Sequence, residues 1–521
     1  MLDVEGPQSC HTHTARYDEL LAPVTSKDSD ANFNRASSTY SNHDERFRAA
    51  KRTYERQYAQ LYFSRLMLLK GIMKARVEQL WPGIPVCSIL EVQENKEVAV
   101  IGTVYKNMKL KPSILDEYSK DRGLKAALGA SNFCSDDDNV VLEDEGARMV
   151  LSVSTAAAGG GASTSAAVAA PGGNGMPLNV QELVTGIVLA VRGVHEPGGD
   201  FFVSAVCFPG MAPNPHPHRH LPLPVPVAAQ QAAAVAAAAG PGDKYVALAS
   251  GLCLGGSKAD MLQTQLAFDF LTGNLGSPVE QQLSAQIVRL VVAGGCIGQL
   301  EALAGGGGSS SHTYNRQAQG AALQPVRDLD LLMAEVSAGL PVDLMPGPED
   351  PANVALPQQP MHRCLFPAAG MHGSFVRATN PHEFEMDGVR ILGSSGQNLD
   401  DMAKYCVVRD RLGLMARSLI CRHMAPTAPD TLTCYPFHDN DPFILKSTPH
   451  IYFTGNQPEF ATRLVGGGSG DVGGDGGTEA AAGDALVRLV MVPSFARTGT
   501  IVLVNLRTLA CHPIRFEGSL G

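Results

Sequence analysis

The residues best suited to chemistry follow a predicted strand. The apolar run at residues 342–345 (VDLM) leads into a tight turn at residues 346–351 (PGPEDP), which contains Glu349 and Asp350. A strand that ends in a glycine-bearing loop presents side chains at the carboxyl edge of a sheet, where many α/β proteins bind ligands. Carboxylates there would hold divalent cations, and a pair of such ions activates water for attack on a phosphate ester.

Three other predicted strands end in comparable loops. They are residues 250–256 (SGLCLGG), 293–295 (AGG) and 454–458 (TGNQP), and none of them contains Asp, Glu or His. A two-metal site needs carboxylate and imidazole ligands from several strand ends at once. The sequence therefore indicates the frame of a metal site without most of its ligands.

Two glycine-rich turns fail the tests for other chemistry. Residues 251–258 (GLCLGGSK) follow a strand, but a phosphate-binding loop needs Gly-Lys before Ser or Thr, and here Ser257 precedes Lys258. Residues 393–396 (GSSG) lack the spacing of a nucleophile elbow. Nucleotide binding and serine hydrolysis are not expected from these turns.

Composition excludes further classes of protein. A chain of 521 residues implies two or three domains, and a net charge of −10 argues against DNA binding through bulk positive charge. The 11 cysteines include no C-x-x-C pair, which favours reduced thiols in the cytosol or nucleus. No apolar leader or membrane-length apolar run is present, so no membrane association is expected.

Hydrophobic patterning divides the chain into segments. Residues 1–43 are aperiodic and are predicted to be a disordered tail, whereas residues 44–84 have the three- and four-residue spacing of an amphipathic helix. Its aromatic residues Tyr54, Tyr58 and Tyr62 are candidate partner-binding residues, with packing on the helix's own domain as the plainer interpretation.

Two folded domains are expected after the helix. Residues 85–211 contain about five strands with glycines at bends, which favours a closed OB-fold barrel over the alternative of an open β-sandwich. Residues 243–521 contain apolar strands, at first alternating with helices, and predict a mixed-sheet α/β sandwich. Segments rich in Ala, Gly, Ser or Pro are predicted surface insertions, and the second of them is a linker between the domains: residues 156–177, 212–242, 305–311 and 466–483.

The strand-end loops, taken in order, resemble the motifs of metallophosphoesterases. Together with the segments between them, they resemble the small (B) subunits of eukaryotic replicative DNA polymerases, that of DNA polymerase delta most closely. The resemblance covers about residues 44–518 apart from the insertions. The further segments that support it are residues 56–62 (RQYAQLY), 65–66 (RL), 111–115 (KPSIL), 142–145 (LEDE), 183–186 (LVTG), 353–360 (NVALPQQP), 392–398 (LGSSGQN), 422–432 (RHMAPTAPDTL) and 449–453 (PHIYF).

The resemblance implies that the first two loops have lost their metal ligands. In active relatives the first loop supplies Asp and His, and Gly251 and Cys253 stand at the matching positions here. Gly295 takes the place of the Asp of the second loop. Glycine offers no side-chain ligand atom, so these loops cannot contribute to a two-metal site as active relatives do.

The third and fourth loops depart from the pattern in the same way. Pro348 and Glu349 stand where Asn and His would be, while Asp350 keeps its residue type. Asn456 and Pro458 stand where two His would be. A lone Asp cannot hold two divalent ions, so the resemblance implies a phosphoesterase fold that is inactive and needs no metal or other cofactor.

The overall expectation is a multidomain α+β and α/β protein. It has an N-terminal helix and an OB-fold barrel, followed by an inactive metallophosphoesterase-like αββα sandwich. The resemblance implies a nuclear, non-catalytic regulatory subunit in DNA replication and repair synthesis. It would bridge the metal-binding C-terminal module of the polymerase catalytic subunit and a third subunit, and would reach the sliding clamp and DNA mostly indirectly.

Two other functions stay open at this stage. An active metal-dependent phosphoesterase or 3′–5′ exonuclease would need at least four ligands, such as Glu349, Asp350, His423 and one more, to converge in one cleft. A single-strand DNA binder would use basic and aromatic residues on the barrel, whose strands are mostly aliphatic.

Overall fold

A computed structural model gives the fold of most of the chain. It describes residues 2–3, 13–16, 33–49, 55–111, 132–153, 176–197, 199–215, 242–298, 316–408, 410–466 and 486–517. Tyr54, the predicted insertion at 305–311 and nearly all of the insertions at 156–177, 212–242 and 466–483 lie outside these ranges. In the described part of the chain, no helix is both long enough and apolar enough to cross a membrane.

Three short strands and one long helix precede the barrel. The strands are β1 (Leu2–Asp3), β2 (His13–Arg16) and β3 (Tyr40–Asn42), and the helix is α1 (Ala59–Leu80). The predicted helix over 44–84 is therefore too long, because Asp44–Phe47 forms a separate 3₁₀ turn. Helix α1 passes through Gly71 without a break, since a glycine in a helix costs only about 1 kcal/mol relative to alanine.

The barrel is closed. Strand β5 pairs with both β6 and β8, so the order β5-β6-β7-β9-β8 returns to its start and the alternative of an open sandwich is wrong. The strand after the motif at residues 183–186 begins at residue 188, because Gly186 adopts a left-handed turn with φ of 90°. The barrel strands, with β4 as an added edge, are β4 (Val86–Cys87), β5 (Glu97–Asn107), β6 (Asn139–Glu143), β7 (Arg148–Val153), β8 (Val188–His195) and β9 (Phe201–Cys207).

Two seven-stranded sheets form the second domain. Their orders are β13-β12-β11-β10-β19-β20-β2 and β1-β17-β18-β16-β15-β14-β3. In the first sheet the strands from β13 to β10 are parallel, β19 and β20 continue antiparallel, and β2 pairs parallel with β20. In the second sheet β18, β16 and β15 are parallel and the strands on both sides of them pair antiparallel. The strands are β10 (Tyr245–Ala249), β11 (Ile287–Ala293), β12 (Val342–Met345), β13 (Phe375–Arg377), β14 (His382–Met386), β15 (Val389–Ser394), β16 (Ile451–Gln457), β17 (Ala461–Gly466), β18 (Leu486–Pro493), β19 (Thr500–Asn505) and β20 (Cys511–Glu517).

Alternation along the central strands builds a four-layer αββα sandwich. Val246 and Leu248 of β10 lie between the sheets, whereas Ala247 and Ala249 face the helices outside. Strand β16 alternates likewise, with Phe453 between the sheets and Tyr452 outside. The helices are α2 (Met261–Thr272), α3 (Pro278–Gln286), α4 (Arg316–Gly339), α5 (Gln397–Lys404), α6 (Arg411–Ile420) and α7 (Phe495–Thr498).

Arg65 of α1 joins the helix, the barrel and the sandwich. Its fully buried guanidinium donates hydrogen bonds to the carbonyls of Gly186 in the barrel and of Pro426 and Ala428 in the sandwich. Its Nε lies 2.8 Å from Asp441 Oδ2. A buried charge with all three guanidinium nitrogens engaged in this way favours one arrangement of the two domains, because moving either domain would break some of these buried hydrogen bonds.

The expected disordered tail is wrong for residues 33–43. The Arg35 guanidinium donates to the carbonyls of Leu271, Ser284 and Ile287, and β3 adds a strand to the edge of β14. Ala36 and Tyr40 also pack on the core between the sheets, but main-chain and charged contacts provide much of the attachment, so the segment needs little apolar periodicity.

A buried charge network anchors the same segment to both sheets. His382 of β14 is fully buried, with Nδ1 2.8 Å from Asp44 Oδ1 and Nε2 3.3 Å from Asp343 Oδ2 in the other sheet. Asp343 also lies 2.6 Å from Arg289 Nη1. Burial opposes protonation, but the Asp44 and Asp343 carboxylates outweigh it and raise the pKa of His382 to about 9.

This pKa predicts how stability depends on pH. Because the pKa of His382 is higher in the folded state than the ordinary 6.5, its contribution is fully present below pH 6.5 and is lost as the pH rises toward 9. Urea unfolding of the wild type should therefore show the free energy of unfolding falling by on the order of 2–3 kcal/mol over this interval. His382→Gln should be less stable at pH 6 and should lack the decline.

A second histidine provides the control for this measurement. Burial lowers the pKa of His512 to about 4, so His512 is neutral across the whole interval and His512→Gln should keep the wild-type slope. An unchanged pH slope in His382→Gln would show that His382 is not the titrating group.

Candidate functional site

The glycine-bearing loops meet at one edge of the sandwich, as their positions after parallel strands predict. Backbone hydrogen bonds join the first loop to the second, from Gly251 N to the Gly294 carbonyl and from Cys253 N to the Gly295 carbonyl. The third loop lies against the second at Gly347, and Asn456 extends the fourth loop toward them. This edge is the candidate site.

Asp350 holds two of these loops together. Its Oδ2 accepts hydrogen bonds from Gly295 N at 2.9 Å and Gly347 N at 2.7 Å, and its Oδ1 accepts one from Ile297 N at 2.9 Å. Burial raises the pKa of this carboxyl group, although the backbone N–H donors act in the opposite direction. The one carboxylate that keeps its expected residue type is thus engaged by the main chain.

Asn456 forms the matching link on the other side. Its backbone has a left-handed φ of 56°, and its Nδ2 donates to the carbonyls of Ala293 and Ser395. The backbone N–H of Asn456 donates to Ser250 Oγ at 2.9 Å. Because both donors lie on one nitrogen, this amide bonds two carbonyls at once, whereas each ring nitrogen of an imidazole offers at most one donor.

The glycines fit because the loops approach one another at backbone distance. A Cβ atom on Gly295 would lie 2.5 Å from Asn456 Oδ1 and 3.0 Å from Gly251 Cα. A Cβ on Gly347 would lie 2.4 Å from Gly295 N. Gly251 and Gly295 also have φ of 63° and 67°, which glycine adopts without strain. The space that an aspartate ligand would need at residue 295 is already occupied.

The other loop positions at which metal ligands would be expected do not supply a set of ligands at this edge. Pro348, Glu349 and Pro458 are exposed, and proline has no ligand atom. Cys253 is half-buried, and burial raises the pKa of its thiol, which disfavours the thiolate that binds metal ions.

A pair of divalent cations does not fit the donors at this edge. Within the described ranges, no three His, Cys, Asp or Glu side chains are placed to share a metal ion. His423 lies instead in the joint between the domains, where its Nε2 is 2.8 Å from Asp441 Oδ2. Burial and the Arg65 charge lower the pKa of His423 to about 4, so it is a neutral member of that joint.

The tyrosines of the N-terminal segment have separate environments. The Tyr58 hydroxyl donates to the Cys434 carbonyl at 3.1 Å, although the residue is 43% exposed. Tyr62 is half-buried and has the Arg65 guanidinium 5.3 Å from its ring centre. Sequence periodicity missed Phe63 and Tyr105, which are exposed beside Tyr62. Phe63 lies one residue outside the tyrosine stripe, and Tyr105 follows a mainly aliphatic run in β5.

Comparisons with known proteins agree with this architecture. The family described as DNA polymerase delta subunit OB-fold domain matches residues 57–206, and the family of the B subunits of DNA polymerases alpha and epsilon matches residues 246–462. The barrel is therefore an OB-fold domain, and the sandwich is the phosphoesterase-like domain of those B subunits.

Full-length relatives carry the comparison across nearly the whole chain. The DNA polymerase delta small subunit of Arabidopsis thaliana is 40% identical over 95% of this chain and 99% of its own length. DNA polymerase delta subunit 2 of Drosophila melanogaster is 32% identical over 93% and 99%, and the small subunit of Saccharomyces cerevisiae is 27% identical over 90% and 91%. The chain therefore belongs to the family of DNA polymerase delta small subunits, which are accessory subunits of that polymerase.

Proposed function

We propose that this chain is a non-catalytic scaffold whose phosphoesterase edge has become a packed structural element. The observation that carries the proposal is the interlocking of the loops. Gly251, Gly295 and Gly347 approach one another at backbone distance. The side chains of Asp350 and Asn456 form hydrogen bonds with main-chain groups of the neighbouring loops. Substrate phosphate and two cations have no room or ligands between loops packed in this way.

The scaffold bridges other subunits of the same polymerase. It binds the metal-binding C-terminal module of the catalytic subunit and a third subunit, acts in the nucleus, and reaches the sliding clamp and DNA through those partners. Its own net charge of −10 supports protein contacts over direct contact with the phosphate backbone. The rigid joint at Arg65 supports this role, because a bridge between two partners requires a fixed arrangement of its domains.

Co-expression with the catalytic and third subunits tests the scaffold. The expected result is a stable three-subunit complex on size-exclusion chromatography, and a pairing of catalytic and third subunits that is lost when this chain is omitted. Formation of the same complex without this chain would contradict the proposal.

Enzyme assays separate the scaffold from an active phosphoesterase. Purified protein should hydrolyse neither bis-p-nitrophenyl phosphate nor labelled single-stranded DNA above the buffer rate in Mn²⁺ or Mg²⁺. Asp350→Ala should leave this background unchanged but lower the free energy of unfolding by about 2–4 kcal/mol, because it leaves buried N–H groups unpaired. Metal-dependent hydrolysis that disappears in Asp350→Ala would sink the proposal.

The packing at Gly295 gives an independent test. Gly295→Ala should lower the free energy of unfolding by about 2–4 kcal/mol in urea titrations, from the strain of a positive φ together with the clash at Asn456. Gly370→Ala is the matched control, since a Cβ there meets no atom within 4 Å and it should change stability by less than about 0.5 kcal/mol. Equal stability of the two variants would mean that the loops are not packed at backbone distance.

A further inference from the structure

A groove runs between helix α1 and the outer wall of the barrel. It encloses about 520 Å³, with Tyr62, Phe63 and Leu66 on the helix side and Tyr105 on the barrel side. Helix α1 buries one face on the barrel through residues such as Leu69 and Met73, so the groove lies along the margin of that contact. The residues of the strand-end loops do not line this groove, so it is separate from the candidate site.

The groove is part of a broader apolar surface. Phe63 is 43% exposed and Met67, one helical turn further on, is 59% exposed. On the barrel, Tyr105, Val141 and Val150 stand side by side across β5, β6 and β7, because Tyr105 pairs with Val141 and Val141 pairs with Val150. Exposed aromatic and aliphatic side chains that adjoin across two elements are typical of a contact surface for another chain.

The groove walls are predominantly acidic. Three carboxylates line it, those of Glu143, Asp144 and Asp430, against one guanidinium, that of Arg148. Arg148 pairs with Glu143 and Lys111 pairs with Asp430, whereas the Asp144 carboxylate accepts hydrogen bonds from the main-chain N–H groups of Ile89, Gly146 and Ala147. A ligand with positive charges beside its apolar side chains would complement these walls.

We propose that this groove binds a basic, amphipathic segment of another polymerase subunit. An aromatic or long aliphatic side chain of that segment packs against Phe63 and Tyr105, and its lysines or arginines approach Asp144 and Glu143. The inference rests on the proposed scaffold function and names the surface through which one partner is held. Nucleic acid fits poorly, because its phosphates would meet the Asp144 carboxylate in a lining that has three carboxylates and one guanidinium.

A pair of surface variants tests the apolar contact in the intact complex. The chain is co-expressed with the catalytic and third subunits, and the amount of each partner that co-purifies with it is measured. A titration of the purified subunits then gives the affinity of each variant for each partner. Phe63→Ser together with Tyr105→Ser should weaken binding of one partner about tenfold or more, as expected for loss of exposed aromatic anchors. Met371→Ser, at an 83% exposed residue of the sandwich, is the control and should bind like the wild type.

Two charge-reversal variants test whether the acidic wall contributes to binding. Glu143→Lys should weaken the same partner, and the loss should shrink as salt is raised. Glu145→Lys is the matched control, because Glu145 lies two residues away and pairs with Lys70 outside the groove lining. Equal binding by Glu143→Lys and Glu145→Lys would overturn the role of the acidic wall.

A photo-cross-linking residue at position 67 identifies the occupant even if a serine variant fails to fold. The expected product joins this chain to a segment of another subunit that contains several Lys or Arg residues and an apolar anchor. A cross-link to an added oligonucleotide, to a second copy of this chain or to an acidic segment would overturn the inference. A wild-type chain that assembles with neither subunit would refute the scaffold itself, whereas normal assembly by the groove variants would refute only the groove.

Discussion

The Arg65 guanidinium is the interaction on which the arrangement of the molecule depends. It is buried among the carbonyls of two domains and the Asp441 carboxylate, and Asp441 in turn holds a neutral His423. A buried charge is stable only while all of its partners stay in place, and loss of one partner of such a pair costs about 3–5 kcal/mol. Gly186 shares this constraint, because a Cβ there would lie 2.0 Å from the Pro426 carbonyl oxygen. The guanidinium thus reinforces a joint at which barrel and sandwich residues also share an apolar core, and the helix, barrel and sandwich are held in one arrangement.

The strand-end edge of the sandwich is a closely packed part of the fold. Parallel strands deliver four loops to one place, and glycine, proline and asparagine occupy many of the loop positions there. The loops then close on each other, with Asp350 binding main-chain N–H groups and Asn456 binding main-chain carbonyls. The backbone path is kept because the surrounding sheets require it, even though no described donor set fits a metal pair.

Rigidity and surface chemistry together suit an accessory subunit. The N-terminal segment ties both sheets through Asp44, His382 and Asp343, so the sandwich is braced at the edge where β3 is added. The barrel and α1 leave an apolar groove with acidic walls on the outside of this rigid body. The described loops are packed with their own residues, and exposed apolar side chains lie on the helix, on the barrel and elsewhere on the sandwich.

The sequence by itself determined the family, the order of the domains and many central strands. Strand β12 has the predicted bounds of residues 342–345, because a short apolar run that ends at a turn is a local signal. The family motifs identified the loops that meet at one edge, since residues such as Gly295 and Asp350 occur at fixed positions after strands. Residue types alone also indicated that metal ligands were missing there.

Only the tertiary structure decided what those residues do instead. No local pattern marks Asp350 as the acceptor for two loops, His423 as a partner of Asp441, or residues 33–43 as an ordered edge, because their partners are distant in the chain. The groove likewise exists only where Phe63 and Tyr105, which are 42 positions apart by their numbering, come to face one space. Hydrogen bonds and close backbone approach depend on which segments become neighbours, and that is settled by the packing of the whole chain.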